Sequence, residues 1–269
     1  MNLWFTFLYQ PLVNALVFLY KLFGNNFGWA IIGLTLLLRG ALMPLTLPSL
    51  KMSEKMKQLQ PELEKLKKKH GKNKQAFAQA QLKLYQKYGV NPASGCLPWI
   101  VQIVVLFALY QAFNQVLRNN GEVIKNLNNI LYPFLKLSEQ TIINTRFFYL
   151  DLTKPDLINL PFKANLGLLK LEKIPGIFLI AAALTQFWSS KLMAPVVKQE
   201  EKVSKKTPGQ EDDMAVAMQK QMLYLMPIMT FFIGFSFPSG LVVYWITFSI
   251  FMLVQQLYFK KRRSNAKRS

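Results

Sequence analysis

The chain has 269 residues, 52% of them hydrophobic, a mean hydropathy of +0.18 and a formal net charge of +20 from 33 basic and 13 acidic residues. That hydropathy is high for a soluble protein and low for a bare bundle of membrane helices, so several apolar spans separated by polar loops are expected. One cysteine, Cys96, and one histidine, His70, exclude an internal disulfide and argue against a zinc site.

The opening residues, MNLWFTFLYQPL, carry no basic leader and no small-residue cleavage site, so they are not read as a removable signal peptide. Across residues 2–23, Thr6, Gln10, Asn14 and Lys21 fall on one helical stripe in an otherwise apolar run. Residues 1–26 are therefore expected to form an amphipathic helix lying in the outer interface, with a sixth span as the alternative; Pro11 and the polar stripe favour the interface.

Residues 27–50 form the first expected span, and it carries Arg39 near its middle. An arginine at the centre of a membrane helix costs about 2.5–3.5 kcal/mol on insertion scales, so its presence points to use. Thr35 and Thr46 lie near the same face, and Pro44 and Pro48 are expected to bend or end the helix. Residues 51–95 follow as a helical hairpin: Met52, Met56, Leu59, Leu63 and Leu66 make a heptad seam, His70–Asn73 is a turn, and Phe77, Ala80, Leu84 and Tyr88 continue an apolar face. Its exterior is basic, with Lys65, Lys67, Lys68, Lys69, Lys72 and Lys74 prominent.

The second span (96–118) contains Gln102, and an extracytoplasmic segment (119–173) follows. The third span (174–191) holds Thr185, Gln186, Ser189 and Ser190, and a loop (192–220) leads to the fourth span (221–237). The fifth span (238–259) carries Tyr244, Trp245, Thr247 and Ser249, and a basic tail (260–269) closes the chain. The fold class is thus all-α: a polytopic five-span bundle with an antiparallel helical hairpin and an N-terminal interfacial helix.

Charge sets the expected orientation. Residues 51–95 hold eleven lysines against three acids and the tail holds six basic residues and no acid, whereas 119–174 nearly balances seven bases with five acids. Basic-rich loops belong on the cytoplasmic side, which places the C-terminus inside and the N-terminal helix on the outer face of a bacterial cell membrane.

Intramembrane polar groups turn away from lipid. No acid occurs in the five expected spans, so a fixed positive charge at Arg39 would line a hydrophilic cavity, while the Ser, Thr and Gln residues also suit ordinary helix–helix hydrogen bonding. The same lack of carboxylates and histidines argues against proton-coupled transport and intramembrane proteolysis. No nucleotide-binding motif is present, and neither an enzyme activity, a cofactor nor a metal is expected. Met214, Met218, Met222, Met226 and Met229 lie along one helical stripe that suits either varied apolar partners or plain core filling.

Five segments in order resemble the YidC/Oxa/Alb family of membrane protein insertases: LTLLLRGALMPLTL, LQPELEKLKKKHG, YGVNPASGCLPWIVQIVVLFALY, FFYLDLTKPD and FPSGLVVYWITFSIFMLVQQ. The resemblance implies a hydrophilic intramembrane groove, closed on the outer side, that passes short tails and apolar segments of nascent proteins into the bilayer without ATP. It implies that Arg39 is the groove arginine and Thr35 its threonine, with Gln186, Trp245 and neighbouring Tyr244 as further groove positions. Gln102 joins them as the polar residue of the second span, and Met222, Met226 and Met229 are the expected apolar contacts for substrate. The implied partners are nascent membrane proteins, the ribosome and targeting machinery recruited by the basic hairpin, the Sec translocon, and lipid. No sequence-specific nucleic acid is expected. The large periplasmic domain of Gram-negative members and the lipoprotein cysteine of many Gram-positive ones have no counterpart here, and the tail is short. A channel or carrier using the same polar cavity is the alternative function.

Overall fold

A computed structural model describes residues 3–70, 73–91, 97–117, 122–166, 169–193 and 228–266. The chain is mostly helical. A π-helical turn, Phe5–Tyr9, leads into α1 (Gln10–Leu22); α2 (Phe27–His70), α3 (Lys74–Lys87), α4 (Leu97–Leu117) and α5 (Glu122–Asn128) follow. Two β-hairpins come next, β1 (Arg146–Phe147) with β2 (Leu150–Asp151) and β3 (Leu157–Leu166) with β4 (Leu169–Pro175), both antiparallel. Helices α6 (Ile177–Met193), α7 (described over 228–234) and α8 (Ser239–Ala266) complete the chain.

Among the described residues, three stretches are long and apolar enough to cross a membrane by length and composition: Phe5–Leu22, Phe27–Ser49 and Ser239–Phe259, with a shorter apolar helix at Val101–Gln115. At 17 residues, α6 spans about 26 Å, a little less than a hydrocarbon core of about 30 Å.

The chain divides into two compact units: one of Met1–Gly40, Val104–Ser189 and Met226–Ser269, the other of Ala41–Ile103 and Ser190–Leu225. In the first unit, Tyr20, Phe27 and Phe113 form an aromatic chain through α1, α2 and α4, with ring centroids 6.2 and 6.1 Å apart. Asn26 caps α2 by accepting from the N–H groups of Gly28 and Trp29. Elsewhere in this unit, Leu179 and Ala182 of α6 pack with Val242 of α8, flanked by Phe231 of α7 and by Phe235 just after it. Gly234 permits this approach, because a Cβ there would collide with the Leu179 side chain.

Three residues of the polar stripe, Gln10, Asn14 and Lys21, are engaged by residues 130–136, although Lys21 is itself exposed. The amides of Gln10 and Asn14 both donate to the Ile130 carbonyl, at 3.0 and 3.1 Å. Asn14 Oδ1 accepts from the Tyr132 N–H at 2.7 Å, and Lys21 Nζ reaches the carbonyls of Leu135 and Lys136. Phe18, Lys21 and Leu22 are what α1 leaves exposed, with Leu3 and Phe7 exposed ahead of it.

In the second unit, Leu59 and Leu63 of α2 pack against Leu84 and Tyr85 of α3 and against Val90, with Met52 and Leu66 alongside. Four of the five expected seam residues are in this cluster, the Met56 side chain lies outside the described residues, and Tyr85 rather than Tyr88 joins them. Tyr88 is the C-cap residue of α3, already turned away, and its hydroxyl donates to Glu62 at 2.6 Å. That bond to a carboxylate pushes the Tyr88 phenol pKa up. Gly89, at φ +61°, reverses the chain so that the Val90 N–H returns to the Tyr85 carbonyl and the Val90 side chain to the core.

Of the expected bend or end at Pro44 and Pro48, the end is excluded, because α2 runs through both and through Pro61 to His70. Each proline removes one N–H, and the intact ladder on either side carries the helix past it. The helical class describes most of the chain, but residues 146–175 also carry strands: LKLE (169–172) alternates with the period of a strand, and β3 and β4 pair from Leu157↔Pro175 to Leu166↔Leu169.

Candidate functional site

Arg39 sits in α2 with its side chain buried, 9% exposed. Its guanidinium carbon lies 3.7 Å from the centroid of the Phe248 ring on α8. Phe248 in turn stacks on Tyr244, one turn earlier, at 6.2 Å and 29°, and the Tyr244 phenol is within electrostatic range of the guanidinium. A desolvated cation over an aromatic face gains about 2 kcal/mol, which offsets much of the insertion cost of the arginine. Thr35, one turn before Arg39, is buried and donates its hydroxyl to the Ile31 carbonyl at 2.6 Å.

The next residue of α8 faces the other neighbour. Ser249 Oγ donates to Gln186 Oε1 at 2.8 Å, and Ser189 Oγ donates to the Ser249 carbonyl at 3.0 Å. Thus Gln186 is placed near the Arg39 cluster, but through a hydrogen-bonded seam joining α6 to α8. Trp245 is half-buried, and a rotation of about 100° per residue sets it off the Tyr244–Phe248 row. Gln102 belongs to the other compact unit. Met229 is exposed, while Met222 and Met226 lie outside the described residues. On the hairpin, Lys65, Lys68 and Lys69 are exposed. Lys72 and the side chains of Lys67 and Lys74 lie outside what is described.

Phe248 carries no mark in the sequence, since a phenylalanine is ordinary in an apolar helix and only its approach to Arg39 gives it a role. A second group has no local mark at all. The segment 151–156 ties the first turns of α6 and α8 together. Ser239 donates through its N–H to the Lys154 carbonyl at 2.7 Å and through its hydroxyl to the Asp151 carbonyl at 2.9 Å; the Gly240 N–H reaches the Leu152 carbonyl. At α6, the N-cap position is Gly176, which has no side chain to offer. The capping oxygen comes instead from Asp156, whose carboxylate is buried and accepts from the Leu179 N–H at 2.8 Å and from the Tyr149 hydroxyl at 2.9 Å. Gly176 is required there, since any Cβ would strike that carboxylate. Partial burial, reinforced by Asp156, pushes the Tyr149 phenol pKa up. For Asp151, burial opposes ionisation, but hydrogen bonds from Thr153 and Lys154 outweigh it and hold the carboxyl below its usual range.

The model of the 60Kd inner membrane protein family matches residues 18–267. The chain belongs to that family. The motif resemblance to the YidC/Oxa/Alb proteins and this family match coincide, and with the apolar helices they make the chain a bacterial membrane protein. A Bacillus anthracis family member named "Membrane protein insertase YidC 2" is 32% identical over 263 residues, covering 96% of this chain and 82% of that protein. A Nitratidesulfovibrio vulgaris (strain Miyazaki F) member named "Membrane protein insertase YidC" is 33% identical over 96% of this chain, and one from Methylobacterium nodulans with the same name is 31% identical over the same share. This chain spans only 39% and 36% of the lengths of those two 60Kd family members.

Proposed function

We propose that this chain is a membrane protein insertase and chaperone that moves short extracytoplasmic tails and adjoining apolar segments of nascent proteins into the bilayer without ATP. The observation that carries the reading is Arg39, a permanently charged side chain buried beside the aromatic pair Tyr244–Phe248 in a helix of membrane-spanning length and composition. A charge held there attracts an acidic or polar tail and lowers the cost of its passage through a medium that solvates it poorly. The apolar segment behind the tail then enters lipid, gaining about 25 cal/mol for each Å² removed from water.

In this reading the core has five spans, with the helical hairpin and C-terminus cytoplasmic and α1 on the outer face. Thr35, Gln186, Tyr244 and Trp245 line the polar path with Arg39. Met222, Met226 and Met229 offer adaptable apolar contacts to the passing segment. The exposed lysines of the hairpin recruit ribosomes or targeting machinery, and the Sec translocon is a further partner.

The test is reconstitution in liposomes with a small single-span protein bearing an acidic tail, scored by protease protection of that tail. Insertion above that of empty liposomes is expected, with Arg39→Ala reducing it and Arg39→Lys keeping most of it. Insertion no better than empty liposomes would refute the reading and turn attention to ion flux. Equal activity of Arg39→Ala on acidic and neutral tails would remove the charge from the mechanism.

A further inference from the structure

The two-residue turn between β1 and β2 is Phe148–Tyr149, and Phe148 stands at φ +52°. Tight hairpin turns place glycine, asparagine or aspartate at such a position, because a side chain there crowds the backbone. A bulky aromatic residue at that φ is a true outlier, and outliers of this kind persist where something holds them. Here the protein meets the ring only along one side, at Phe147 and Phe178, and leaves Phe148 76% exposed.

Around it lies a continuous aromatic surface. Phe147 is buried and touches Trp29 edge-on at 5.5 Å, Phe148 at 4.7 Å and Phe178 at 6.1 Å. Phe178 also meets the rings of Phe148 and Tyr149, at 6.0 and 5.8 Å. Trp29 and Tyr149 are half-exposed, and Ile177 is largely so. Trp29 belongs to the first turn of α2, and Ile177 and Phe178 open α6. The exposed patch therefore sits where two apolar helices begin, the depth at which hydrocarbon gives way to headgroups and at which aromatic side chains concentrate. In water this patch would cost free energy on two counts, the exposed rings and the backbone. In the interfacial layer the rings are removed from water.

We propose that the Phe147–Tyr149 turn is a membrane-interface wedge, with Phe148 inserted into the headgroup–acyl boundary of the leaflet where α2 and α6 begin, alongside Trp29 and Ile177. The occupant of the patch is lipid. The wedge holds the 145–156 segment at the bilayer surface, and with it the hydrogen bonds to the first turns of α6 and α8. The proposal rests on α2 and α6 being membrane spans and does not depend on which side of the membrane the turn occupies.

The experiment places one nitroxide label at a time on the full chain in a Cys96→Ala background, reconstituted in phosphatidylcholine–phosphatidylglycerol vesicles. Collision rates with oxygen, which enters lipid, are compared with those of a nickel chelate, which stays in water. The label sites are Phe148→Cys, Leu37→Cys on the exposed face of α2, and Lys154→Cys on the exposed loop. The expected oxygen-to-nickel ratio is several-fold higher at position 148 than at 154, and lower than at 37. A ratio at 148 equal to that at 154, with 37 immersed, overturns the wedge. A water-like ratio at 37 overturns the spanning of α2 on which the wedge rests.

A second variant separates anchoring from folding. Phe148→Gly relieves the backbone and removes the ring. Its thermal midpoint is expected to hold or rise in detergent micelles and to fall in vesicles. A fall of equal size in both media assigns the ring a purely internal role and refutes the proposal.

Discussion

Replacing Asp156 by alanine tests whether a carboxylate 23 residues upstream serves as the missing cap of α6. The substitution removes the acceptor for the Leu179 N–H, 2.8 Å away in a buried setting, and the charge at the helix N-terminus. Loss of a capping oxygen costs about 1 kcal/mol, and up to about 2 where the site is buried. The interaction of a negative charge with the helix end adds about 0.3–1 kcal/mol. The Tyr149 hydroxyl bond at 2.9 Å adds a further amount of roughly 0.5 kcal/mol, kept small because Tyr149 is half-exposed and water replaces the partner. The total is about 2–3 kcal/mol. For a chain of this size that corresponds to a fall of roughly 5–10 °C in the unfolding midpoint. The assay is tryptophan fluorescence during heating of the detergent-solubilised protein, with Lys154→Ala as the surface control, expected to change stability by under about 1 kcal/mol. A double-mutant cycle with Tyr149→Phe isolates the hydroxyl's share. An Asp156→Ala midpoint indistinguishable from that of Lys154→Ala would refute the cap, and with it the assignment of residues 151–156 as the tie between α6 and α8.

Phe248→Leu removes the aromatic face beneath Arg39 while leaving an apolar side chain; insertion of acidic-tailed substrate is expected to fall by up to about tenfold, and Phe248→Tyr to preserve it, both read by protease protection. Ser249→Ala breaks the contact with Gln186 between α8 and α6, at a cost of about 0.6 kcal/mol, near the average for interhelical hydrogen bonds in membranes, measured by unfolding in mixed micelles. Gly234→Ala forces a methyl into the Leu179 side chain and is expected to destabilise by about 1–3 kcal/mol in the same assay. Asp151 has a lowered folded-state pKa, so its ionised form contributes stability above the unfolded value of about 4 and loses it as pH falls below that value. The parent's midpoint is therefore expected to drop more steeply below about pH 4 than that of Asp151→Asn, measured as a pH series.

Arg39 could be found from the sequence because a charge in an apolar run contradicts its surroundings, and the contradiction needs no partner to be seen. Phe248 could not be singled out in the same way, since a phenylalanine in a membrane helix contradicts nothing; only the three-dimensional approach of α8 to Arg39 gives it a role. The hairpin shows the same limit at smaller scale. Period alone selects Leu59, Leu63 and Leu84, but the choice between Tyr85 and Tyr88 is made by where α3 unwinds, a matter of the αL residue Gly89. The α1 stripe was visible as a stripe, yet periodicity reports only that one face differs, not whether water or a carbonyl-rich loop meets it. Asp156 lies 23 positions before the Leu179 N–H that it caps, with β3 and β4 in between, and no local pattern connects the two.

The hydrogen bonds between α1 and residues 130–136 also set an order of events during synthesis. The amides of Gln10 and Asn14 and the ammonium of Lys21 find their partners 114–120 residues further along the chain. At roughly 5–20 residues per second, those partners are made about 6–24 s after α1 itself. During that interval Asn14 keeps the Gln10 carbonyl of its own helix at 2.8 Å, but Gln10 and Lys21 rely on water, which the bilayer core does not supply. The first helix therefore has to wait at an aqueous boundary until the loop arrives. Its final docking becomes a late checkpoint: the polar stripe of α1 is fully satisfied only once residues 130–136 have reached it.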